Sequence, residues 1–299
     1  MITARIWGGL GNQLFQYAYA YTVAQRAGAC LQLDMSFYEN QTVRKPVLLD
    51  FSLDNSEVCT LKDLPDRVRE LQGKWKNRAL WISKNSQTIM PNGQLYIKES
   101  RLHYMEHLAK LNCDDIYLDG YWQCPLYFEQ ARKHLIRQYK LKNSDYLRLN
   151  SRLVDAIKDT DSVAIHIRRG DYLNKWNQIV YGLRPLPDSY YLDTINQARR
   201  KFDDPLFVFF TNDPDYVKDK FGSLPNVLLV PDMIQATDAE EMMIMSLCKN
   251  HIIANSTFSW WAAWLSENPD QSVWAPKTGW GNRDILPDRW KGIEIKWNQ

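Results

Sequence analysis

Residues 162–172, SVAIHIRRGDY, join a short apolar run to a charged end. The run 162–167 has the length and composition of a buried strand, and Arg168, Arg169, Gly170 and Asp171 follow it directly. Arginines at the end of a buried strand are costly unless an anion pairs with them, and a guanidinium fork matches phosphate oxygens. The stretch therefore predicts an anion site at a strand end. Strand alternation places His166 and Arg168 on one face and Arg169 on the other.

On both sides of this stretch, apolar strands alternate with segments of helical periodicity. Strands are predicted at 2–7, 30–33, 116–118, 162–167, 206–210, 227–230, 251–254 and 272–275, and helices at 12–26, 127–139, 147–158, 189–202, 215–221, 238–249 and 259–267. This order favours parallel sheets covered on both faces. We predict an α/β protein of two Rossmann-like domains, 1–145 and 146–299, that face a cleft, with ligands at the carboxyl ends of the strands. Residues 37–111 look irregular.

Two further segments follow predicted strands. Gly8-Gly9-Leu10-Gly11-Asn12-Gln13 has glycines that let backbone approach a ligand, although its spacing is not that of a dinucleotide or ATP loop, and a plain turn is an equal interpretation. Asn255-Ser256-Thr257-Phe258 places small hydroxyl residues at the start of a helix. Helix capping explains such residues, and phosphate binding by the same N–H groups is the functional alternative.

Composition narrows the class of protein. A net charge of +2 is too small for a general nucleic-acid or membrane surface, while 12 Trp and 16 Tyr fit either aromatic cores or sugar binding. The sequence shows no signal peptide, no stretch long enough to span a bilayer and no paired cysteine motif. We predict a cytoplasmic protein with at most peripheral association at the inner face of a membrane.

The alternatives to an arginine-held ligand are a metal site and an internal ion pair. Asp213-Pro214-Asp215 has the spacing of a cation site that bridges a diphosphate, but such spacings often begin turns or helices. Arginines carry diphosphate charge without a metal, so we expect neither a metal nor another cofactor. Arg169 is expected to pair with Asp171 or another acid, and Arg168 to meet the ligand. Residues 169–171 also spell an RGD tripeptide, a weak match.

Three motifs together resemble those of bacterial α-1,2-fucosyltransferases, glycosyltransferase family 11. They are residues 8–17, 166–172 and 255–264, and the stretches 120–123, 245–250 and 275–277 are similar as well. The resemblance runs nearly end to end and is weakest over 37–111. It implies a GT-B-type fold, a GDP-β-L-fucose donor and inverting, metal-independent transfer to the 2-hydroxyl of a terminal β-galactoside, as in surface-glycan (O-antigen) synthesis.

The resemblance also implies roles for individual residues. Catalytic roles fall to Arg168, Asp171 and Asn12, with Asp171 as the nearest candidate base or as an orienting acid. Donor contacts fall to His166, Arg168, Arg169, Gly11, Asn12, Asp213, Asp232, Asn255, Ser256, Thr257 and Phe258. Acceptor contacts are assigned to Tyr172, Tyr181 and Trp122. Family members often carry His-Gly where this chain has Tyr181-Gly182, so its acceptor preference could differ.

Two other functions stay open at this point. One is a fucosyltransferase for a different acceptor, a protein hydroxyl or a chitin-like oligosaccharide, because the arginine motif recurs in such enzymes. The other is a non-catalytic carbohydrate-binding protein, against which the paired arginines argue because neutral sugars do not need them. The native galactoside and the oligomeric state do not follow from the sequence.

Overall fold

A computed structural model describes residues 1–39, 44–54, 56–59, 87–89, 95–99, 103–234 and 236–297, with backbone alone for 56–59, 87–89, 177, 180 and 181. The chain divides into two compact units, Met1–Lys140 and Leu141–Gln299. Each unit is built around one sheet of mostly parallel strands. Across the described residues, no helix is long and apolar enough to cross a membrane.

The sheet of the N-terminal unit has the order β3-β2-β1-β6-β5-β4. Its strands are β1 (Ile2–Arg5), β2 (Leu31–Asp34), β3 (Ser56–Cys59), β4 (Gln87–Ile89), β5 (Leu95–Lys98) and β6 (Ile116–Asp119). All neighbours pair in parallel except β4, which runs antiparallel to β5 at the edge. The expectation of an all-parallel sheet is therefore wrong at this edge, and β3, β4 and β5 lie in the stretch that looked irregular.

Helix α1 (Leu10–Ala27) packs on this sheet, and nearly every residue from Leu10 to Ala24 is buried. It ends at Gly28, which takes a left-handed conformation. Short helices α2 (Glu106–Ala109) and α3 (Arg132–Gln138) complete the unit's described helices. The predicted helix 127–139 is thus a shorter α-helix preceded by 3-10 turns.

The sheet of the C-terminal unit is parallel throughout, in the order β12-β11-β10-β7-β8-β9. Its strands are β7 (Val163–Ile167), β8 (Phe207–Thr211), β9 (Val227–Leu229), β10 (Asn250–Ile252), β11 (Val273–Pro276) and β12 (Lys291–Ile293). Each residue of β7 and β8 is buried, as expected for central strands covered on both faces. Strand β12 was not predicted.

The helices of this unit are α4 (Asp145–Leu149), α5 (Ser151–Asp159), α6 (Lys175–Tyr181), α7 (Asp188–Lys201), α8 (Pro214–Phe221), α9 (Asp238–Ser246) and α10 (Thr257–Leu265). The predicted helix 147–158 breaks at Asn150, whose amide donates to the carbonyl of Tyr146 at 2.8 Å and competes with the helical backbone bonds. Helix α6 was not predicted. In α10, Trp260, Trp261 and Trp264 are fully buried, so many of the tryptophans serve the core.

Strand order marks one place in the C-terminal sheet where the chain diverges after two neighbouring strands. In the C-terminal unit β7 is followed by β8 on one side, while its other neighbour β10 is followed by β11 on the opposite side. Loops that diverge from neighbouring strands open a crevice at the carboxyl edge, where such sheets bind ligands.

Candidate functional site

Arg168 leaves the end of β7 at the crevice between β7 and β10. Its Nε donates to Oδ1 of Asp171 at 2.8 Å, and its side chain is 29% exposed. Among the residues that the structure describes, no protein group bonds Nη1 or Nη2 of Arg168. Asp171 therefore pairs with Arg168. The pair uses only Nε, however, and it leaves the fork for a ligand.

Arg169 points to the neighbouring strand β8. Its Nε donates to Oδ2 of Asp213 at 2.9 Å, and its guanidinium carbon lies 3.5 Å from the centroid of the Tyr216 ring. Its backbone N–H donates to Oδ1 of Asn212 at 3.0 Å. The acid that holds Arg169 is therefore Asp213 and not Asp171. A carboxylate and a ring face together fix the plane of this guanidinium.

His166 lies on β7, two residues before Arg168, and is 3% exposed. Its ring centroid is 5.5 Å from that of Phe258, which begins α10. Burial, reinforced by the positive charge of Arg168, lowers the pKa of His166 to about 3, so the ring stays neutral near pH 7. Its buried Nδ1 has no hydrogen-bond partner within the described chain.

The loop after β10 is held by its asparagine. Asn255 donates from Nδ2 to the carbonyls of Arg184 and Gly279, both at 3.1 Å. Tyr172, which is buried, donates its hydroxyl to the carbonyl of Asn255 at 3.0 Å. Tyr172 thus ties the loops after β7 and β10 together, and its burial replaces the expected acceptor contact with a structural one.

The start of α10 is open to an anion. Ser256 is the N-cap residue, yet its side chain makes no capping hydrogen bond, and the first helical bond runs from the N–H of Trp260 to the carbonyl of Ser256. Thr257 and Phe258 follow in the first turn and are partly exposed. The capping interpretation of Ser256 is therefore not supported, whereas the N–H groups at a helix start suit a phosphate.

The loop after β1 belongs to the N-terminal unit. Gly8 takes a positive φ of 84°, and its carbonyl accepts from the Tyr38 hydroxyl at 2.9 Å. Gly11 is buried in the first turn of α1. Asn12 is partly exposed, and its Oδ1 accepts from Nε2 of Gln123 at 2.9 Å. This segment combines a fixed turn with an amide pair that links the loops after β1 and β6.

The two remaining acceptor assignments, Trp122 and Tyr181, have different outcomes. Trp122 is 1% exposed and packs against Tyr19 at 4.5 Å between ring centroids, so it belongs to the core and offers no ring face to an acceptor. This corrects the prediction for Trp122. Tyr181 is the last residue of α6, and its side chain lies outside the described residues. Gly182, with φ of 66°, follows it.

The acids assigned to guanine or to a metal are engaged elsewhere. Asp213 caps α8 through the N–H of Tyr216 at 3.3 Å in addition to holding Arg169, and Asp215 is exposed. Asp232 pairs with Lys218 at 3.0 Å, half-exposed beyond the edge strand β9. Within the described ranges, no three His, Cys, Asp or Glu side chains cluster as a metal site. Both acids thus have structural partners, and Asp232 lies two strands away from β7.

Glu241 was missed by the sequence analysis. It lies on α9 and is partly buried, and burial, with the negative charge of Asp238, raises its pKa to about 7. The positive charge of Arg168 acts in the opposite direction and lowers this pKa. The sequence did contain a signal for Glu241, because it is an acidic residue in the first turn of the helix that precedes the 255–264 motif.

In this arrangement, two neighbouring strand ends and one helix start carry groups of the kind that suit an anion. The sequence profile of glycosyl transferase family 11 matches residues 1–282. The chain belongs to glycosyl transferase family 11. The matched residues include all three motif segments, and the resemblance drawn from those motifs is confirmed.

Relatives of this glycosyltransferase include two from Escherichia coli. It is 30% identical to an alpha-1,2-colitosyltransferase, over 98% of this chain and 99% of that one. It is 29% identical to the O-antigen biosynthesis glycosyltransferase WbnK, over 95% of this chain and 97% of that one. A more distant relative is the mouse galactoside 2-alpha-L-fucosyltransferase Sec1, 22% identical over 89% of this chain and 64% of that one.

Solved structures resemble the fold at low sequence identity. The NodZ alpha-1,6-fucosyltransferase, soaked with GDP-fucose, is 18% identical with a TM-score of 0.50, over 88% of this chain and 91% of that one. A mutant of FUT1 from Arabidopsis thaliana, in complex with GDP, is 16% identical with a TM-score of 0.50, over 92% of this chain and 69% of that one. This family 11 glycosyltransferase has an α/β fold of GT-B type, as predicted.

Proposed function

We propose that this chain transfers L-fucose from GDP-β-L-fucose to the 2-hydroxyl of a terminal β-galactoside, with inversion. The observation that carries the proposal is the pair of arginines that directly follows β7. Each is held by a carboxylate through Nε, and no protein group among the described residues bonds their Nη atoms. Preformed guanidinium forks and an uncapped helix start are groups that fit a diphosphate.

The chemistry follows from where charge develops. As the bond between fucose and the diphosphate breaks, the sugar becomes oxocarbenium-like and negative charge grows on departing GDP. Fixed positive charge stabilises that growing charge more than it stabilises the bound donor, so it lowers the barrier. Arg168 supplies this charge, and Asp171 orients Arg168, because Oδ1 of Asp171 accepts from Nε of Arg168 at 2.8 Å.

Guanine recognition falls to Glu241. Guanine presents an N1–H and an N2 amino group on one edge, and one carboxylate accepts from both. Glu241 is partly buried, the charge of Arg168 acts on its pKa, and it forms no ion pair among those found in the described chain. It replaces Asp213 and Asp232 in this role because both of those acids already hold cations.

Transfer proceeds without a metal in this proposal. The arginine forks and the N–H groups of α10 supply the positive charge that a divalent cation supplies in metal-dependent sugar transferases. Turnover in excess chelator should equal turnover with Mn²⁺. A strict requirement for a divalent cation would overturn this part and return Asp213 to consideration.

The decisive experiment is the product linkage. GDP-fucose is incubated with lactose, type 1 and type 2 disaccharides and an O-antigen galactoside, with a chitin oligosaccharide and a serine-containing peptide as comparison acceptors. An α-1,2-linked fucosyl galactoside is the expected product. Transfer only to the chitin oligosaccharide or to the peptide would overturn the acceptor assignment.

A second donor is favoured by one relative. The Escherichia coli alpha-1,2-colitosyltransferase, 30% identical over nearly the whole chain, is named for colitose, which differs from fucose by loss of one hydroxyl. The arginine site holds the diphosphate of either donor equally. Parallel assays with GDP-fucose and GDP-colitose, compared by kcat/KM, decide between them.

A further inference from the structure

The carboxyl edge of the N-terminal sheet carries a cluster of partly exposed aromatic rings. Trp7 follows β1, Phe37 and Tyr38 follow β2, and Tyr121 follows β6. The rings of Trp7 and Tyr121 lie 4.2 Å apart at 30°, and Phe37 lies 6.3 Å from Trp7. We call these four residues the aromatic platform. It lies at the carboxyl edge of the sheet, where the loops after the neighbouring strands β1 and β6 meet, and α/β sheets bind ligands at this edge.

The turn that presents Tyr121 is held rigidly. Oε2 of Glu99 accepts from the backbone N–H of Tyr121 at 2.6 Å and of Trp122 at 3.1 Å. Trp122 takes a φ of 57°, which is rare for a tryptophan. A Cβ at Gly120 would collide with Glu99, so the chain passes this close only with glycine. Backbone that surrounding contacts hold in a strained conformation is concentrated at functional sites.

The charges beneath the platform are already paired. Arg5 pairs with Asp119 at 3.2 Å and also lies 5.8 Å from the Trp7 ring, and the buried Asp34 accepts from the Tyr117 hydroxyl. Arg44 lies to one side, next to Gly9 and Tyr38. The floor formed by Arg5, Asp119 and Asp34 is hydrogen-bonded within the protein. It suits a neutral ligand with an apolar face, in contrast to the crevice between β7 and β10.

We propose that the aromatic platform binds the terminal sugar ring of the acceptor, with the face of Tyr121 that points away from Trp7 against the C–H groups of the sugar and Trp7 stacked behind Tyr121. A β-galactoside ring presents several C–H groups on one face and hydroxyls around its rim. The amide pair of Asn12 and Gln123 joins the same two loops and so fixes the loop that carries Tyr121. This inference rests on the proposed function for the identity of the sugar, and it replaces the buried Trp122 with its neighbour Tyr121.

The test compares variants of Tyr121 in the full-length protein. Tyr121→Ala should raise the KM for lactose about 10-fold, while Tyr121→Phe, which keeps the ring, should stay within about 3-fold of the wild type. The Kd for GDP and the rate of GDP-fucose hydrolysis without acceptor should not change in either variant. Phe202→Ala serves as a matched aromatic truncation in the other unit, where its ring packs against Trp274. If Tyr121→Ala fails to fold, Tyr121→Leu takes its place.

Direct binding separates this inference from the proposed function. Saturation-transfer NMR with methyl β-galactoside and lactose measures sugar binding whether or not fucose is transferred. A signal in the wild type that is lost in Tyr121→Ala and kept in Tyr121→Phe supports the platform even if no galactoside is fucosylated. Absence of any sugar signal in the wild type, or an unchanged lactose KM in a folded Tyr121→Ala or Tyr121→Leu protein, would overturn it.

Discussion

Nε of Arg169 donates to Oδ2 of Asp213 at 2.9 Å, and this ion pair joins the ends of the neighbouring strands β7 and β8. Asp213 also caps α8, so one carboxylate fixes a helix start and a guanidinium together. Arg168 is held separately by Asp171. The two arginines of one motif thus have different supports, and they can be tested separately.

Arg168→Ala should reduce kcat by about 100- to 1,000-fold, by analogy with removal of one oxyanion-stabilising donor at about 2.7–4 kcal/mol. Arg168→Lys should recover only part of this, because an ammonium group lacks the planar fork. Steady-state kinetics and circular dichroism measure activity and folding. A folded Arg168→Ala protein with wild-type kcat would contradict the donor assignment.

Asp213→Ala should lower both stability and donor affinity, whereas Asp215→Ala should change neither appreciably. Loss of the α8 cap costs about 1 kcal/mol, and loss of the ion pair leaves Arg169 held only by Tyr216 and its backbone. Thermal unfolding and the KM for GDP-fucose measure the two effects. If the acids instead formed a metal site, both variants would lose activity and added Mn²⁺ would matter.

Glu241→Ala should abolish the preference for GDP over inosine diphosphate, which lacks the N2 amino group. The wild type should bind GDP more tightly than inosine diphosphate. Its affinity for GDP should rise with pH through about 7, because the Glu241 carboxylate must be ionised to accept from both N1–H and the N2 amino group of guanine. Isothermal titration with both nucleotides from pH 5.5 to 8.5 measures this. Retention of the preference and of its pH dependence in the variant would remove Glu241 from the guanine site.

Glu99→Ala should raise the acceptor KM as Tyr121→Ala does, with kcat for GDP-fucose hydrolysis unchanged, because the turn loses both of its anchoring bonds. Glu99→Gln should restore the KM, since an amide oxygen accepts from the same two N–H groups. Rescue by glutamine distinguishes a positioning role from catalysis by the carboxylate. If Glu99→Gln lost kcat while keeping KM, Glu99 would be acting as a base instead.

Glu99 also predicts a pH dependence of stability. Burial raises its pKa to about 7 in the fold, whereas in the unfolded chain it titrates near its ordinary value of 4.5. The fold therefore holds the proton more tightly, so the stabilising contribution is fully present below pH 4.5 and is lost as the pH rises to about 7. The melting temperature of the wild type relative to Glu99→Gln should fall over that interval and stay constant above it. A constant difference across the interval would show that Glu99 does not titrate in this way.

Local patterns sufficed for much of this fold. Central strands such as β7 and β8 were predictable because strands buried on both faces are continuously apolar, and α1 was predictable from its periodicity and its terminal Gly28. Strands β3, β4 and β5 lie in a stretch without a clear period and were not predicted. The break at Asn150 depends on one side-chain amide that competes with the backbone, which periodicity does not register.

The sequence by itself determined the family, the arginine motif at a strand end and the anion chemistry that such a motif serves, because these depend on residue types at short spacing. Only the tertiary structure decided which acid holds which arginine, that the charge of Arg168 acts on the pKa of Glu241, and that Trp122 is buried while Tyr121 lies on the partly exposed platform. Those facts depend on strand order and on contacts between residues far apart in the chain. Neighbouring strands β7 and β8 bring Arg169 to Asp213, which is 44 positions away in the chain. Local sequence patterns do not indicate a contact between residues so far apart.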